Sequence, residues 1–182
     1  MYDFKSLEQK ITESQDWLRK EYQGLRTGRA TPALLDSIQV ESYGSRMPLN
    51  QVGSVGTEDP RTLRVSPWDA SQVKAIEKAI TDANLGVGIS SDEKGVRVTF
   101  PELTADRRTS LIKIAKDKLE DARQSLRGAR EEAWSDIQAK EKAGEMSEDE
   151  KFRNKDELQK KIDAGNKALE ELFTKKETEI NS

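Results

Sequence analysis

Three arginines lie close together in the stretch ARQSLRGAREEAW (residues 122–134): Arg123, Arg127 and Arg130, with Gly128 among them. Residues three and four apart are neighbours on a helix surface, so like charges at this spacing repel by roughly 0.2–0.5 kcal/mol per pair. A glycine inside a helix costs about 1 kcal/mol more than an alanine. Residues that destabilise their own helix, without an evident structural gain, indicate a functional site. Guanidinium groups donate in a fork that suits phosphate, and Gly128 permits close backbone approach.

The same arginines allow a plainer interpretation as solvated charges. Each has a candidate partner on the helix: Glu131 for Arg127, Glu120 for Arg123 and the ring of Trp134 for Arg130. The helix pattern alone leaves both interpretations open. A phosphate-binding surface could also include Lys113 and Lys116 on the same helix, and Arg26 and Arg29 at the end of the first predicted helix.

Most catalytic chemistry is excluded by composition. The chain has no cysteine and no histidine, which removes disulfides, thiolate nucleophiles, histidine triads and the usual zinc sites. No phosphate-binding G-x-x-x-x-G-K-[ST] loop occurs, and the G-x-G of GVGIS (86–90) lacks the context of a dinucleotide site. We therefore predict a protein that is not an enzyme and needs no cofactor, with any nucleotide hydrolysis supplied by a partner.

The composition favours long amphipathic helices. Of the 182 residues, 34% are hydrophobic and 36% are charged, which suits helices that bury only a stripe. No window resembles a membrane span, and the N-terminal sequence lacks signal-peptide character, so we expect a soluble cytoplasmic protein. The net charge is −3, yet residues 104–130 carry 8 basic and 4 acidic groups. With no groove-reading motif for DNA, this basic segment favours recognition of RNA by shape and backbone.

Three apolar repeats predict helices that pack as a bundle. The first helix runs from Phe4 to about Gly28, the second from an N-cap at Thr104 to about Lys142, and the third opens with a capping box of Ser147 and Glu150. The predicted buried stripe of the first helix is Leu7, Ile11, Leu18, Tyr22 and Leu25, with Ser14 at one position of the repeat. That of the second helix is Ile112, Ala115, Leu119, Ala122, Leu126, Ala129 and Ala133. That of the third helix is Leu158, Ile162, Gly165, Leu169, Leu172 and Ile180. Each stripe is too polar to be stable alone, so we predict a three-helix bundle.

A small α+β domain is predicted within residues 30–103. DSIQVES (36–42), RTLRVSPW (61–68) and GVRVTF (95–100) are strand-like, and YGSRMP (43–48) indicates a turn. Residues 69–86 predict a helix, with a capping-box-like pair and a buried stripe: Asp69 and Gln72, then Val73, Ile76, Ile80 and Ala83. The predicted fold class is α+β, and the bundle domain consists of residues 1–29 and 104–182. The chain crosses between the two domains near 29–32 and again near 101–104, and these two crossings are a candidate hinge. The three tryptophans Trp17, Trp68 and Trp134 are expected in the core or at this hinge rather than stacked on bases.

Seven stretches in order resemble one protein family, the bacterial ribosome recycling factors. They are LRTGRATPALLD (25–36), YGSRMPLNQV (43–52), EDPRTLRVSPWD (58–69), IEKAI (76–80), LTADRR (103–108), LRGARE (126–131) and SEDEKFR (147–153). The resemblance covers nearly the whole chain. It implies an L-shaped, elongated three-helix bundle with an inserted small β/α/β domain on a flexible joint, with dimensions like those of transfer RNA.

The resemblance also implies the activity and the partners. Such a protein enters the ribosome after termination and binds mainly the large subunit and its ribosomal RNA. With elongation factor G and GTP hydrolysis by that factor, it separates the subunits and releases messenger RNA and transfer RNA. The resemblance implies no enzymatic activity, no cofactor or metal, and no DNA or membrane partner. Nothing in the sequence requires an oligomer, so we expect a monomer.

Site residues follow from the matching motifs. Arg127 and Arg130 match arginines that contact large-subunit ribosomal RNA, and Arg123, Arg26 and Arg29 are assigned to the same role. The hinge is assigned to Arg29, Ala30, Thr31, Pro101, Leu103 and Thr104. Arg107 and Arg108 match a family motif at the second chain crossing, near 101–104, and are assigned to RNA contact or hinge support. The family commonly has a second consecutive arginine where this chain has Glu131. Either Glu131 pairs with Arg127 and weakens RNA binding, or the missing RNA contact is supplied by another residue.

Two rival functions remain open from the sequence. A coiled-coil adaptor or chaperone would bind protein partners without the ribosome and would respond little to loss of the arginines. A general RNA chaperone would bind free structured RNA as well as it binds intact ribosomal subunits.

Overall fold

The computed structural model describes residues 2–182 and divides them into two compact units. The first contains residues 2–22 and 112–178, and the second contains residues 23–111 and 179–182. The predicted domain boundaries at 29/30 and 103/104 lie within the second unit and stay a prediction. Across residues 2–182, every helix is too short or too polar to span a membrane.

The first unit is a bundle of three helices, as predicted. Its helices are α1 (Lys5–Gln23), most of α4 (Ala105–Lys142) and most of α5 (Glu148–Asn181). The α4 core positions from Ala115 to Ala133 are buried as predicted, and Ile137 extends them. Three predicted core positions are wrong: Ile112 and Leu172 are half-buried beside the buried Leu111 and Phe173, and the half-buried Leu25 lies beyond the end of α1. In α4 and α5 the buried stripe advances by four residues at these points, from Leu111 to Ala115 and from Leu169 to Phe173.

Small and polar groups fix how closely the three helices pack. A β-carbon added at the buried Gly165 of α5 would lie 3.1 Å from Ile11 Cγ2 and 3.3 Å from Leu126 Cδ1, so this glycine lets α5 approach both other helices. Tyr22 donates its hydroxyl to the carbonyl oxygen of Ala115 at 2.8 Å. Burial, followed by the nearby charge of Glu170, raises the pKa of Tyr22 to about 12. The bundle core is therefore close-packed where all three helices meet.

The predicted helix caps are confirmed. Thr104 Oγ1 accepts a hydrogen bond from the backbone nitrogen of Arg107 at 3.2 Å, directly before α4. Ser147 and Glu150 form the reciprocal capping box of α5, since Ser147 Oγ accepts from Glu150 N at 3.2 Å and Glu150 Oε2 accepts from Ser147 N at 3.0 Å. Gly144 has φ +76° in the short connection between α4 and α5. Both long helices thus begin where their sequences predict.

The second unit contains a β-hairpin, a four-stranded sheet and a helix. Strands β1 (Gln39–Ser42) and β2 (Ser45–Pro48) form the hairpin. Strands β3 (Gly53–Asp59), β4 (Thr62–Pro67), β5 (Gly88–Asp92) and β6 (Gly95–Thr99) form an antiparallel sheet in the order β3-β4-β6-β5. The remaining elements are α2 (Leu49–Val52), α3 (Val73–Asp82) and two short 3-10 helices, Pro32–Leu35 and Ala70–Gln72. Val40, Leu63, Val65, Ile76, Ile80, Val96 and Val98 form the centre of its core.

Some local predictions in this unit are wrong. The turn predicted for 43–48 is confined to Tyr43 and Gly44, at φ +51° and +78°, because Ser45–Pro48 pair with β1. Strands β3 and β5 were not predicted, since they are mostly exposed and show no apolar alternation. Asp69 accepts from Ser71 N rather than forming a capping box with Gln72, because a 3-10 turn precedes α3. Ala83 is exposed, since it lies after the last residue of α3.

Candidate nucleic-acid interface

The three arginines share one flank of α4, on the side toward α5. At about 100° per residue, Arg123, Arg127 and Arg130 lie within about 60° of one another and border the buried stripe that includes Leu126. Arg130 Nε donates to Gln159 Oε1 of α5 at 3.3 Å, and Arg123 pairs with Glu170 of α5. We call Arg123, Arg127 and Arg130 the arginine row. Helix α4 holds it rigidly at the border with α5.

Every arginine of the row has a carboxylate partner, and all three predicted partners are wrong. Arg127 Nη2 lies 2.6 Å from Glu120 Oε1, and Arg130 Nη1 lies 3.1 Å from Glu131 Oε1. Glu131 thus pairs with Arg130 rather than Arg127, and Glu120 pairs with Arg127 rather than Arg123. Trp134 is approached by Lys155, whose Nζ is 5.5 Å from the ring centroid. The backbone spacing alone did not predict which rotamers these long side chains adopt.

The row differs in accessibility along its length. The side chain of Arg127 is 59% exposed, whereas those of Arg123 and Arg130 are 34% and 33% exposed. Arg127 is therefore exposed, whereas Arg123 and Arg130 are half-buried. The hydrogen bond from Arg127, with its positive charge, lowers the pKa of Glu120. In water these exposed pairs are weak and exchange readily, so a phosphate can replace the carboxylate.

Gly128 lies on the opposite flank of α4 from the row. It is about 100° from Arg127 and about 160° from Arg130 around the helix, so it does not open the backbone beside the arginines. A β-carbon at this position would have no atom within 4 Å. The predicted role of Gly128 in approach to a phosphate held by the row is wrong. It lines instead a groove between α1 and α4, together with Ser14 and Trp17.

The second group of predicted RNA-binding residues lies in the other compact unit. The Arg26 guanidinium lies 5.5 Å from the centroid of the Phe100 ring. Burial and the charges of Arg107 and Arg61 lower the pKa of Arg26. Arg29 is exposed. These residues and the arginine row are on different units, so a shared surface stays a prediction.

The predicted hinge residues differ in burial and in hydrogen bonding. Ala30 is buried, and its backbone nitrogen donates to the carbonyl oxygen of Pro60 at 2.7 Å. Thr31 has extended dihedral angles and precedes the 3-10 helix Pro32–Leu35. Pro101 is exposed and Leu103 is buried, immediately before the cap residue Thr104. The hinge role stays a prediction.

The tryptophans are not core residues as a group. Trp17 and Trp68 are 40% and 70% exposed, so neither packs in the core, while Trp134 is half-buried; packing of a tryptophan at the hinge stays a prediction. Lys118 Nζ lies 5.9 Å from the Trp17 ring centroid. The groove beside Trp17 was missed from the sequence. Its sequence signals are Gly128, a glycine inside a helix, and Ser14, a hydroxyl at a position of the α1 stripe that an apolar residue would ordinarily fill.

Comparison with known proteins places these features in one family. A family model described as ribosome recycling factor matches residues 18–180. The ribosome-recycling factor of Rubrobacter xylanophilus is 41% identical over 178 residues, covering 98% of this chain and 96% of that protein. The protein of the same name from Rhodospirillum centenum is 44% identical over 178 residues, with the same coverage.

Two solved structures are similar over almost the whole chain. A solution structure of a ribosome recycling factor has a TM-score of 0.76 and 35% identity, covering 100% of this chain and 99% of the other. A second structure describes the T. thermophilus ribosome recycling factor and the E. coli elongation factor G bound to the E. coli post-termination complex. Its matching chain has a TM-score of 0.67 and 38% identity, with 98% and 97% coverage. These relatives are translation factors rather than enzymes, which confirms the prediction that the chain is not an enzyme. The chain belongs to the ribosome recycling factor family.

Proposed function

We propose that this protein binds the post-termination ribosome and, with elongation factor G and GTP hydrolysis by that factor, separates the subunits and releases messenger RNA and transfer RNA. The observation that carries the proposal is the arginine row, a rigid set of guanidinium groups on one flank of α4. A relative of 38% identity is bound with elongation factor G to a post-termination complex, which supports the same partners.

The row contacts the phosphates of large-subunit ribosomal RNA, and Arg127 is its principal contact. Arg127 is the most exposed of the three and has only an exposed carboxylate to exchange for phosphate. Arg123 and Arg130 are partly covered by α5 partners, so they contribute less and fix the direction of approach. Arg26 and Arg29 add further contacts from the second unit.

The small domain, residues 30–103, moves relative to the bundle about the two chain crossings. Support comes from the residue types at the crossings, where Pro101 and the extended Thr31 interrupt regular structure. The chain acts as a monomer in the cytoplasm, where the ribosomes are.

Subunit separation tests the function directly. Post-termination ribosomes are mixed with this protein, matched elongation factor G and GTP, and light scattering is followed. We expect GTP-dependent separation that requires both proteins. If neither the rate nor the extent depends on this protein, although elongation factor G is active and this protein is folded, the proposed function is wrong.

The double variant Arg127→Ala, Arg130→Ala tests the site. We expect its affinity for large subunits to fall at least about a hundredfold, since two hydrogen bonds to charged groups, at about 1.5–3 kcal/mol each, are lost. The slope of log affinity against log salt should fall by roughly 0.7–0.9 per lost phosphate contact. The control is Lys167→Ala, Lys175→Ala, which removes the same charge from exposed positions of α5. Unchanged affinity and slope in the arginine variant would remove the row from the interface.

The proposed motion has a separate test. Dyes on cysteines replacing Lys78 in the small domain and Lys167 in the bundle should give a broad distribution of energy transfer, and the chain has no native cysteine to interfere. A pair at Lys116 and Lys167, both in the bundle, should give a narrow one. Equally narrow distributions would mean that the two crossings do not act as a hinge.

A further inference from the structure

A groove between α1 and α4 has features that the proposed function does not use. It has a volume of about 300 Å³, at the lower end of the range for small-ligand sites. Ser14, Gly128 and Ala129 are among its lining residues, and Trp17 forms part of its wall. The size suits one planar side chain and is too small for a helix.

Two departures from good helix sequence meet in this groove. Ser14 is a polar residue that is only 9% exposed, and within residues 2–182 its hydroxyl makes no hydrogen bond to protein while its oxygen still reaches solvent. A ligand that donates to this hydroxyl therefore takes the place of water. Gly128 carries the helix penalty of a glycine although a β-carbon would fit at its position. A larger side chain there would reduce the volume of the groove.

The charges around the groove select the kind of ligand. Lys10 and Glu132 pair with each other across it, whereas Glu13 has a hydrogen bond from Gln9 and no ion pair within residues 2–182. Asp117 and Asp121 lie on the same flank of α4, also without ion pairs in that range. Unpaired carboxylates repel phosphate and attract cations.

We propose that this groove binds an arginine side chain from a basic segment of a protein partner. The guanidinium would lie against the Trp17 ring and donate to the Glu13 carboxylate, with Ser14 Oγ accepting a further hydrogen bond. Planar guanidinium groups stack on aromatic rings and bind carboxylates through two donors, which a lysine ammonium does not do. This surface is on the flank of α4 opposite the arginine row, and the inference does not depend on RNA binding by that row.

Binding is tested on the full chain with a blocked glycine-arginine-glycine peptide. NMR follows the indole N–H signal of Trp17, assigned with Trp17→Phe. We expect a saturable shift with this peptide. The same peptide with citrulline, which has the shape of arginine without its charge, should bind at least about tenfold more weakly, the loss expected for one charged hydrogen bond.

Three variants separate recognition from folding. Glu13→Gln should weaken binding of the arginine peptide about tenfold. Asp16→Asn makes the same change of charge at an exposed α1 position that pairs with Arg19, and it should not weaken binding. Gly128→Ala should weaken binding of the arginine peptide severalfold, and it should leave the bundle at least as stable as before. A purely structural role for this groove predicts no link between these variants and peptide binding.

The proposal fails if the citrulline peptide binds as well as the arginine peptide, or if neither shifts Trp17. It also fails if adenosine or uridine monophosphate shifts Trp17 and the arginine peptide does not, because the groove would then bind a nucleobase. Both results leave ribosome binding by Arg127 and Arg130 untouched, so the two proposals fail separately.

Discussion

The two flanks of α4 differ in how their charges are arranged. On the flank toward α5, each arginine of the row has a carboxylate partner, and the cations are spaced along the surface. On the flank toward α1, Glu13, Asp117 and Asp121 have no ion pair within residues 2–182, and small residues leave a groove. One helix therefore carries a surface suited to phosphate and another suited to a cation.

The comparison shows why charge counted along the sequence is insufficient. Residues 104–130 carry 8 basic and 4 acidic groups, a balance that predicts one basic helix. The helical period instead places Arg127 and Asp121 on different flanks. The six residues from Asp121 to Arg127 rotate the helix by about 240° beyond one full turn. A cation that is already paired must also exchange its carboxylate partner before it can bind a phosphate.

Exchanging charge at adjacent positions gives the largest expected difference between the flanks. Glu131→Arg removes the carboxylate that pairs with Arg130 and adds a cation beside the row, so affinity for large subunits should rise up to about tenfold and the salt slope should steepen. Glu132→Arg makes the same change of charge one residue later, where the side chain lines the groove and pairs with Lys10. It should not increase affinity. Equal gains in filter-binding titrations would mean that overall charge, not the flank, determines binding.

Two glycine substitutions compare the open groove with the packed core. Gly128→Ala should stabilise the bundle by up to about 1 kcal/mol, since its β-carbon meets no neighbour. Gly165→Ala should be at least about 1 kcal/mol less stable than Gly128→Ala, because its β-carbon crowds Ile11 and Leu126. Urea unfolding measures both. A Gly165→Ala protein as stable as the Gly128→Ala protein would show that the three helices can separate at no cost.

Releasing Arg127 from its partner should have a smaller effect. Glu120→Gln removes the carboxylate whose pKa Arg127 lowers, so the guanidinium no longer has to exchange a partner before it binds phosphate. Affinity for large subunits should rise, by less than for Glu131→Arg, with unchanged thermal stability. Glu171→Gln, at an exposed position of α5, is the control for charge alone. A loss of affinity in Glu120→Gln would mean that the pair positions Arg127 rather than restraining it.

The smallest effect concerns the ionisation of Tyr22. Its pKa is raised to about 12 from the ordinary 10.0, so the neutral phenol is favoured in the fold, and its contribution to stability is present below pH 10 and lost as pH rises through about 12. Arg123 opposes this rise and Glu170 adds to it. Arg123→Gln should therefore raise the pKa of Tyr22 further. Ultraviolet absorbance titration, with Tyr22→Phe to identify the signal, measures the shift, and a lower pKa would contradict the assignment of charges around Arg123.

The long helices could be predicted because their signals are local. Thr104 and the pair Ser147 and Glu150 mark helix starts by hydrogen bonds to residues three positions away, and the apolar stripe of α4 repeats at helical spacing. Strands β3 and β5 could not be predicted in this way. Their exposed residues carry no apolar pattern, and their structure comes from pairing with β4 and β6, the strands that follow them directly in the chain.

The candidate site could be predicted in position and not in detail. The spacing of Arg123, Arg127 and Arg130 fixes their common flank, since helix geometry allows little else. Their partners depend on side-chain rotamers and on Glu170 and Gln159 of α5, whose distance from α4 no local pattern gives. The groove depends on how closely α1 approaches α4. The penalty at Gly128 was visible in the sequence, but the groove that Gly128 lines required the structure.

The close approach at Gly165 has a consequence for the order of folding. Helices α4 and α5 are joined by a short connection and can pair early, because contacts between segments that are near in sequence form fastest. Helix α1 contributes Ile11 to the same packing but is separated from both by the whole small domain. During synthesis α1 leaves the ribosome first and has no partner until α4 and α5 have followed. The bundle is therefore completed late, and its first helix spends that time as an exposed amphipathic segment.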